Sequence, residues 1–234
     1  MCTFEASDDC FQDRSHLETV IREGTVQLNR QRIRYELNRI KWQPYVSAIL
    51  VIINVIVYLI CRTRSGDILY RKGILNVVDV LLQKEYGRLI WSMFLHSDIH
   101  HLFNNMLILF FLGGMIEREI GHIQYASLYF LSGIGGNVLS LASKVINNNY
   151  AGSLGASGAV FGLDGVLLSM VLFSRGELRN VTPGRVVIMI VLSLYSGFTG
   201  SNIDNAGHVG GLLTGFLLGS VLCIFQRRRR EKNG

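Results

Sequence analysis

The chain is short of charge: Asp, Glu, Lys and Arg make up 17% of its 234 residues, where a soluble domain carries about 25%. Hydrophobic residues reach 49%, mean hydropathy is +0.32, and the shortage of charge falls in runs long enough to cross a bilayer. That excludes an ordinary soluble enzyme and leaves the whole length to one membrane bundle. The four cysteines, Cys2, Cys10, Cys61 and Cys223, have neither metal-ligand spacing nor the pattern of a disulfide framework. Two of them lie in or beside apolar runs, where cysteine acts as a small hydrophobe. No HExxH motif is present. His96 and His100 are spaced i,i+4, but no partnering carboxylate accompanies them, so no metal is expected. No organic cofactor is implied either. The first forty residues are polar, so no cleavable signal peptide is expected at the start.

The net charge of +6 takes its meaning from its location. Arg30, Arg32, Arg34, Arg39 and Lys41 precede the first apolar run, and Arg227, Arg228, Arg229, Arg230 and Lys232 follow the last. Cytoplasmic flanks look like this under the positive-inside rule. A basic tail that binds RNA or anionic lipid is the competing reading; no nucleic acid is expected as a partner. Residues 1–41 read as a polar cytoplasmic leader, 42–226 as the membrane domain and 227–234 as a basic cytoplasmic tail.

Six spans are expected, at Tyr45–Cys61, Ile99–Ile116, Ile123–Ala142, Ser153–Phe173, Val186–Phe198 and Ile203–Phe225. The expected fold class is therefore all-α: a polytopic six-transmembrane-helix bundle with a short polar N-terminal leader. The connection from Arg62 to Asp98 mixes apolar stretches with charges, which suits amphipathic pieces lying at the interface. Arg175, Arg179 and Arg185 occupy the connection between spans four and five, whereas Ser196–Asn205 carries no Lys or Arg. This asymmetry places both termini in the cytoplasm. The basic first connection runs against the rule, but long loops are translocated with less regard to charge.

Polar side chains inside a bundle are costly, and are functional candidates for that reason. His101, Asn105, Ser157 and His208 stand out. Spans two, four and six run in the same direction, and these residues fall within about two turns of the outer ends. At about 1.5 Å rise per residue, they share one layer. Gly207, Gly211, Gly215 and Gly219 repeat every four residues along span six, and span four offers Gly155, Gly158, Gly162 and Gly165. Small-residue stripes of this kind let helix backbones approach closely. Ser157 and His208 each adjoin such a glycine, so packing can bring them within hydrogen-bond reach. A serine hydroxyl needs a base to become a nucleophile, and an imidazole is the usual one. Asn105 and His101, one turn apart on one face, offer N–H donors for the oxyanion that attack creates. Singly, a serine beside glycine reads as packing, and a membrane histidine as a structural residue or proton relay. Together they make a nucleophile, a base and an oxyanion hole.

These residues also carry a resemblance to a known family, the rhomboid intramembrane serine proteases. Gly155-Ala-Ser157-Gly158 resembles the family's GxSG nucleophile motif, and Ala206-Gly207-His208-Val-Gly210-Gly211 its catalytic histidine motif. His101-Leu-Phe-Asn-Asn105 matches the HxxxN element of the second span, selecting His101 and Asn105 over His100 and Asn104. Gly113, Glu117 and Gly121 match GxxxExxxG. The resemblance runs from Tyr45 to Gly219. It implies a Ser157–His208 dyad without a third acid, so Asp204 is no triad member. It also implies an oxyanion hole from His101, Asn105 and the Ser157 N–H, and an aromatic, Phe161, stacked on the histidine. Gly155, Gly158, Gly211, Arg88 and Glu117 would support that site. The implied substrates are single-span transmembrane proteins cut inside the lipid bilayer near helix-breaking residues.

Departures from the family pattern are local. Gly87-Arg88 replaces the frequent Trp-Arg of the first loop, so Arg88 is expected to keep a structural role without the aromatic anchor. Gly207 stands where alanine is common, and Asp164 lies two turns below Ser157 in a stretch that is usually apolar. Asp164 reads either as a packed, protonated carboxyl, since desolvation favours the neutral form, or as a group that tunes the site. Inactive rhomboid-like proteins that bind membrane clients form the alternative function; they are expected to lack the serine or the histidine, and both are present. A small transporter should show repeat halves or helices broken near the midplane. An α/β-hydrolase needs Gly-x-Ser-x-Gly on a strand-to-helix turn, and Gly155-Ala-Ser157-Gly158-Ala159 supplies neither. Short connections and the lack of organelle-targeting features favour a bacterial plasma membrane. No pattern specifies an oligomeric state.

Overall fold

The computed structural model describes residues 22–27, 29, 43–64, 66–173, 184, 186–188, 190, 191 and 203–233. The chain divides into two compact units, Met1–Gln43 and Pro44–Gly234. In the first, residues 22–27 and 29 are helical; the rest of the expected leader lies outside the described residues. The second unit holds His101, Asn105, Ser157 and His208.

Its helices are α1 (Tyr45–Cys61), α2 (Gly66–Gly73), α3 (Val77–Leu81), α4 (Arg88–Trp91), α5 (Ile99–Ile108), α6 (Gly114–Ile120), α7 (His122–Ile146), α8 (Ser157–Phe173) and α9 (Asn205–Asn233). A 3-10 turn, Ser92–Phe94, follows α4, and a π-helical turn, Leu109–Gly113, joins α5 to α6. Among the described residues no strand forms, and Leu75 and Ser153 make one isolated antiparallel bridge. The fold class is all-α. Among the described residues two helices are long and apolar enough to cross a membrane, Ile99–Ile120 and Asn205–Arg229, with a third if α1 and α2 form one bent span. The shorter α8 is also apolar. Most of the fifth expected span lies outside the described residues, although Val186 and Ile190 are buried.

The first expected span coincides with α1. The fourth begins later than its hydropathy suggests, at Ser157 rather than Ser153. Ser153 is instead paired with Leu75, each N–H donating to the other's carbonyl at 2.9 Å. Gly155 follows at φ +128°, a conformation that side chains oppose and glycine accepts. The apolar run thus contains a short strap before the helix starts.

Side-chain size determines how α8 and α9 meet. A Cβ at Gly211 would strike the main chain of Gly158, and one at Gly215 that of Gly162. A Cβ at Gly136 of α7 would come within 2.6 Å of the Gly207 carbonyl oxygen. Backbone therefore packs on backbone among α7, α8 and α9, as small-residue stripes allow. Around this contact lies an apolar core that includes Met93, Leu102, Leu109, Tyr129, Leu163 and Val166.

Candidate active site

Ser157 opens α8 at the end of the strap, and His208 lies in the first turn of α9. His208 Nε2 is 2.9 Å from Ser157 Oγ. For Nε2 to accept a hydrogen bond from the serine hydroxyl, the neutral imidazole carries its own hydrogen on Nδ1. That atom is buried and has no hydrogen-bond partner. The Phe161 ring, one turn along α8, stacks on the imidazole with centroids 4.3 Å apart and planes 18° from parallel. Stacking and the serine contact together define the orientation of the base.

His101 approaches the same point from α5. A Cβ at Gly155 would lie 2.7 Å from His101 Cε1 and 3.6 Å from Ser157 Oγ. The missing side chain of Gly155 is therefore the space that His101 and Ser157 share. Asp98 caps α5 by accepting the His101 backbone N–H at 2.9 Å. That bond first, and the Ser97 hydroxyl second, hold the Asp98 carboxyl below its usual range. Ser97 Oγ also lies 3.2 Å from His101 Nδ1. Asn105 follows one turn later, buried, with no acceptor for its Nδ2 hydrogens. A buried amide without a partner is costly, and it is suited to an acceptor arriving from outside. His96 packs edge-on against His101 at 5.0 Å, rather than pairing with the exposed His100.

The supporting residues fall into separate places. Gly158 and Gly211 form the contact between α8 and α9. Arg88 is buried in the first connection, paired with Asp79 at 3.0 Å and Glu85 at 2.6 Å. It also donates to the carbonyls of Ile74 at 2.8 Å and Arg71 at 3.2 Å, so it ties together the segments around α2, α3 and α4. Glu117 lies apart from the dyad and binds the start of α1. Asp164 is buried on α8 with one carboxyl oxygen unpartnered. Among the described residues, no group of three or more His, Cys, Asp or Glu side chains could hold a metal.

Sequence reasoning passed over Ser92, Asn137, Ser140 and Ser153. The Ser92 carbonyl accepts the Gly155 N–H at 2.9 Å, and Asn137 donates to Ser92 Oγ at 3.0 Å. Ser140 and Ser153 both donate to Asp204 Oδ2. Only Asp204 left a sequence signal: an Asp just ahead of an apolar helix is a typical N-cap.

A Rhomboid domain model matches residues 83–225. The chain belongs to the rhomboid family. RHOMBOID-like protein 4 of Arabidopsis thaliana is 35% identical over 78% of this chain and 54% of its own length. Rhomboid protease GluP of Bacillus subtilis is 36% identical over 61% of this chain and 27% of its own length. YdcA, also of Bacillus subtilis, is 32% identical over 82% of this chain and 94% of its own length. The chain thus spans about half or less of the first two relatives. The rhomboid domain makes it an integral membrane protein, in keeping with its apolar helices. Ser157 and His208 both lie inside the matched region.

Proposed function

We propose that this rhomboid is an intramembrane serine endopeptidase that cuts single-span membrane proteins, with Ser157 as nucleophile and His208 as base. The observation that carries the reading is the 2.9 Å contact between His208 Nε2 and Ser157 Oγ. Ser157 Oγ attacks the scissile carbonyl carbon while Nε2 takes the hydroxyl proton. The imidazolium returns that proton to the leaving amine as the peptide C–N bond breaks. Water, deprotonated by His208, then attacks the acyl-serine; the acyl–Oγ bond breaks, the imidazolium returns the proton to Ser157 Oγ, and the new carboxyl terminus leaves. His101, the free amide of Asn105 and the Ser157 N–H hold the oxyanion in both halves. Asn105 supports this role because its buried Nδ2 has no competing acceptor.

Desolvation around the dyad strengthens those hydrogen bonds, while hydrolysis requires water. That favours a layer close to the outer face, within six spans and with both termini cytoplasmic. Cysteine labelling of residues ahead of Tyr45 and after Phe225 in sealed cells tests this topology. The short connections favour a bacterial plasma membrane. The named relatives come from a plant and a bacterium, so fractionation of the source cell is the test.

The activity is tested by cleavage of a model single-span substrate in proteoliposomes, comparing wild type with Ser157→Ala and His208→Ala. Cleavage by wild type alone, with both variants folded, supports the dyad. Equal behaviour of all three across a varied substrate panel favours the second reading, a client-binding rhomboid.

A further inference from the structure

Asp204 stands one turn before His208 and makes no hydrogen bond to its imidazole. Its carboxylate is committed elsewhere. Oδ1 accepts the Gly207 N–H at 3.0 Å, the bond of a helix N-cap, and the Asp204 carbonyl accepts the His208 N–H at 3.1 Å. Oδ2 accepts the hydroxyls of Ser140 on α7 and Ser153 in the strap. Burial acts to raise the Asp204 pKa, but the two serine hydroxyls, the Gly207 N–H and nearby Lys144 hold it below its usual value. The group therefore stays charged, and its bonds are charge-assisted and strong.

The strap is held at several points. Lys144 donates to the Ala151 carbonyl at 2.6 Å, Ser153 pairs with Leu75, and the Gly155 N–H bonds Ser92 at 2.9 Å. These bonds anchor the nucleophile to α7 and to the first connection. Asp204 adds a polar tie between the start of the His208 helix and the strap, beside the backbone contacts that α9 makes with α7 and α8.

We propose that Asp204 is a positioning residue for the Ser157–His208 pair, fastening the start of α9 to the strap through Ser153 and to α7 through Ser140. This rests on the protease reading above. The physical need is strict: a nucleophile–base bond of normal length is lost once the two atoms part by less than 1 Å. Misplacement of about 1 Å costs on the order of 100-fold in rate. Asp204 acts through the position of His208 rather than as a relay, because the buried Nδ1 of that imidazole is unpartnered.

The test uses the full chain in proteoliposomes with the single-span substrate, and a fluorophosphonate probe to read Ser157 reactivity directly. Asp204→Ala is expected to lower kcat about 10- to 100-fold, slow labelling similarly and leave KM within about twofold. Asp204→Asn keeps an acceptor for the Gly207 N–H and a partner for one hydroxyl, so it should recover most of the loss. Ser153→Ala is the milder variant, and in the Asp204→Ala background it should add little, since both changes break one link. Amide hydrogen exchange across residues 150–156 should quicken in Asp204→Ala. Wild-type kcat in Asp204→Ala, an effect on KM alone, equal loss in Ala and Asn variants, or unchanged strap exchange would each overturn the proposal. If wild type neither cuts nor takes the probe, the protease reading fails, and strap exchange still decides whether Asp204 fastens the two segments.

Discussion

Glu117 caps a helix that begins about seventy residues before it: its two carboxylate oxygens accept the Val46 and Ser47 N–H groups, each at 2.8 Å. The Ser47 hydroxyl donates to the same carboxylate at 2.7 Å, and His122 Nδ1 lies 2.6 Å from its other oxygen. Pro44 supplies no side-chain cap to α1, so the first-turn N–H groups, which every helix leaves unpaired, find their acceptor in Glu117. The flanking glycines of the same motif serve this contact. A Cβ at Gly113 would come within 3.2 Å of Ser47 Oγ, and Gly121 turns the chain at φ +88°.

Glu117→Ala should therefore destabilise the fold rather than alter the chemistry. It leaves buried donors without an acceptor, a loss of about 2–4 kcal/mol. Thermal unfolding in detergent should show a drop of several degrees. An unchanged midpoint would mean that the cap contributes nothing.

Gly155→Ala is expected to cost activity as well as about 1–3 kcal/mol of stability. The new methyl faces both the strained φ of +128° and the His101 ring 2.7 Å away. Displacing one oxyanion donor costs about 100- to 1000-fold in kcat. Turnover at saturating substrate, set beside KM, reads this directly; a change confined to KM would remove His101 from the oxyanion role.

Phe161→Leu keeps the apolar volume of the site while removing the ring stacked on His208. A stack is worth about 0.5–1.5 kcal/mol, which converts to a kcat lowered up to about tenfold. Phe161→Tyr should retain activity because it retains the ring. Steady-state cleavage by the two variants compares them, and equal rates would show that only volume matters.

Acid should destabilise the fold through His96. Burial, then the neighbouring His101, lowers its pKa from 6.5 to about 3. Between those values the unfolded chain binds a proton that the folded chain does not, so stability rises with pH. It is lost as pH falls below about 6.5, at up to about 1.4 kcal/mol per pH unit. His96→Phe should flatten unfolding midpoints measured between pH 4 and 7; an equally steep profile would assign the effect elsewhere.

Arg88 and Gly211 show where local pattern ends. The resemblance to the rhomboid family marks Arg88 as structural, but its partners, Asp79, Glu85 and two carbonyls, depend on how the connection folds back. A glycine every four residues marks a close helix contact; that Gly211 meets Gly158 depends on the rotation of both helices. Ser153 misled the reading of span four, because hydropathy does not register a strap paired to Leu75 inside an apolar run.

By itself the sequence determined the all-α class, the apolar helices, the motif residues and their order, because hydropathy and glycine spacing are local properties of the chain. It also gave the expectation that His101, Asn105, Ser157 and His208 share one layer, since depth follows from position along a helix. Tertiary structure alone decided that Nε2 of His208 meets Ser157 Oγ, that Asp204 faces Ser140 and Ser153 instead of the imidazole, and that Glu117 caps α1. Those pairings depend on helix rotation and on the close approach of backbones. Both arise from packing between segments far apart in sequence, which no local pattern encodes.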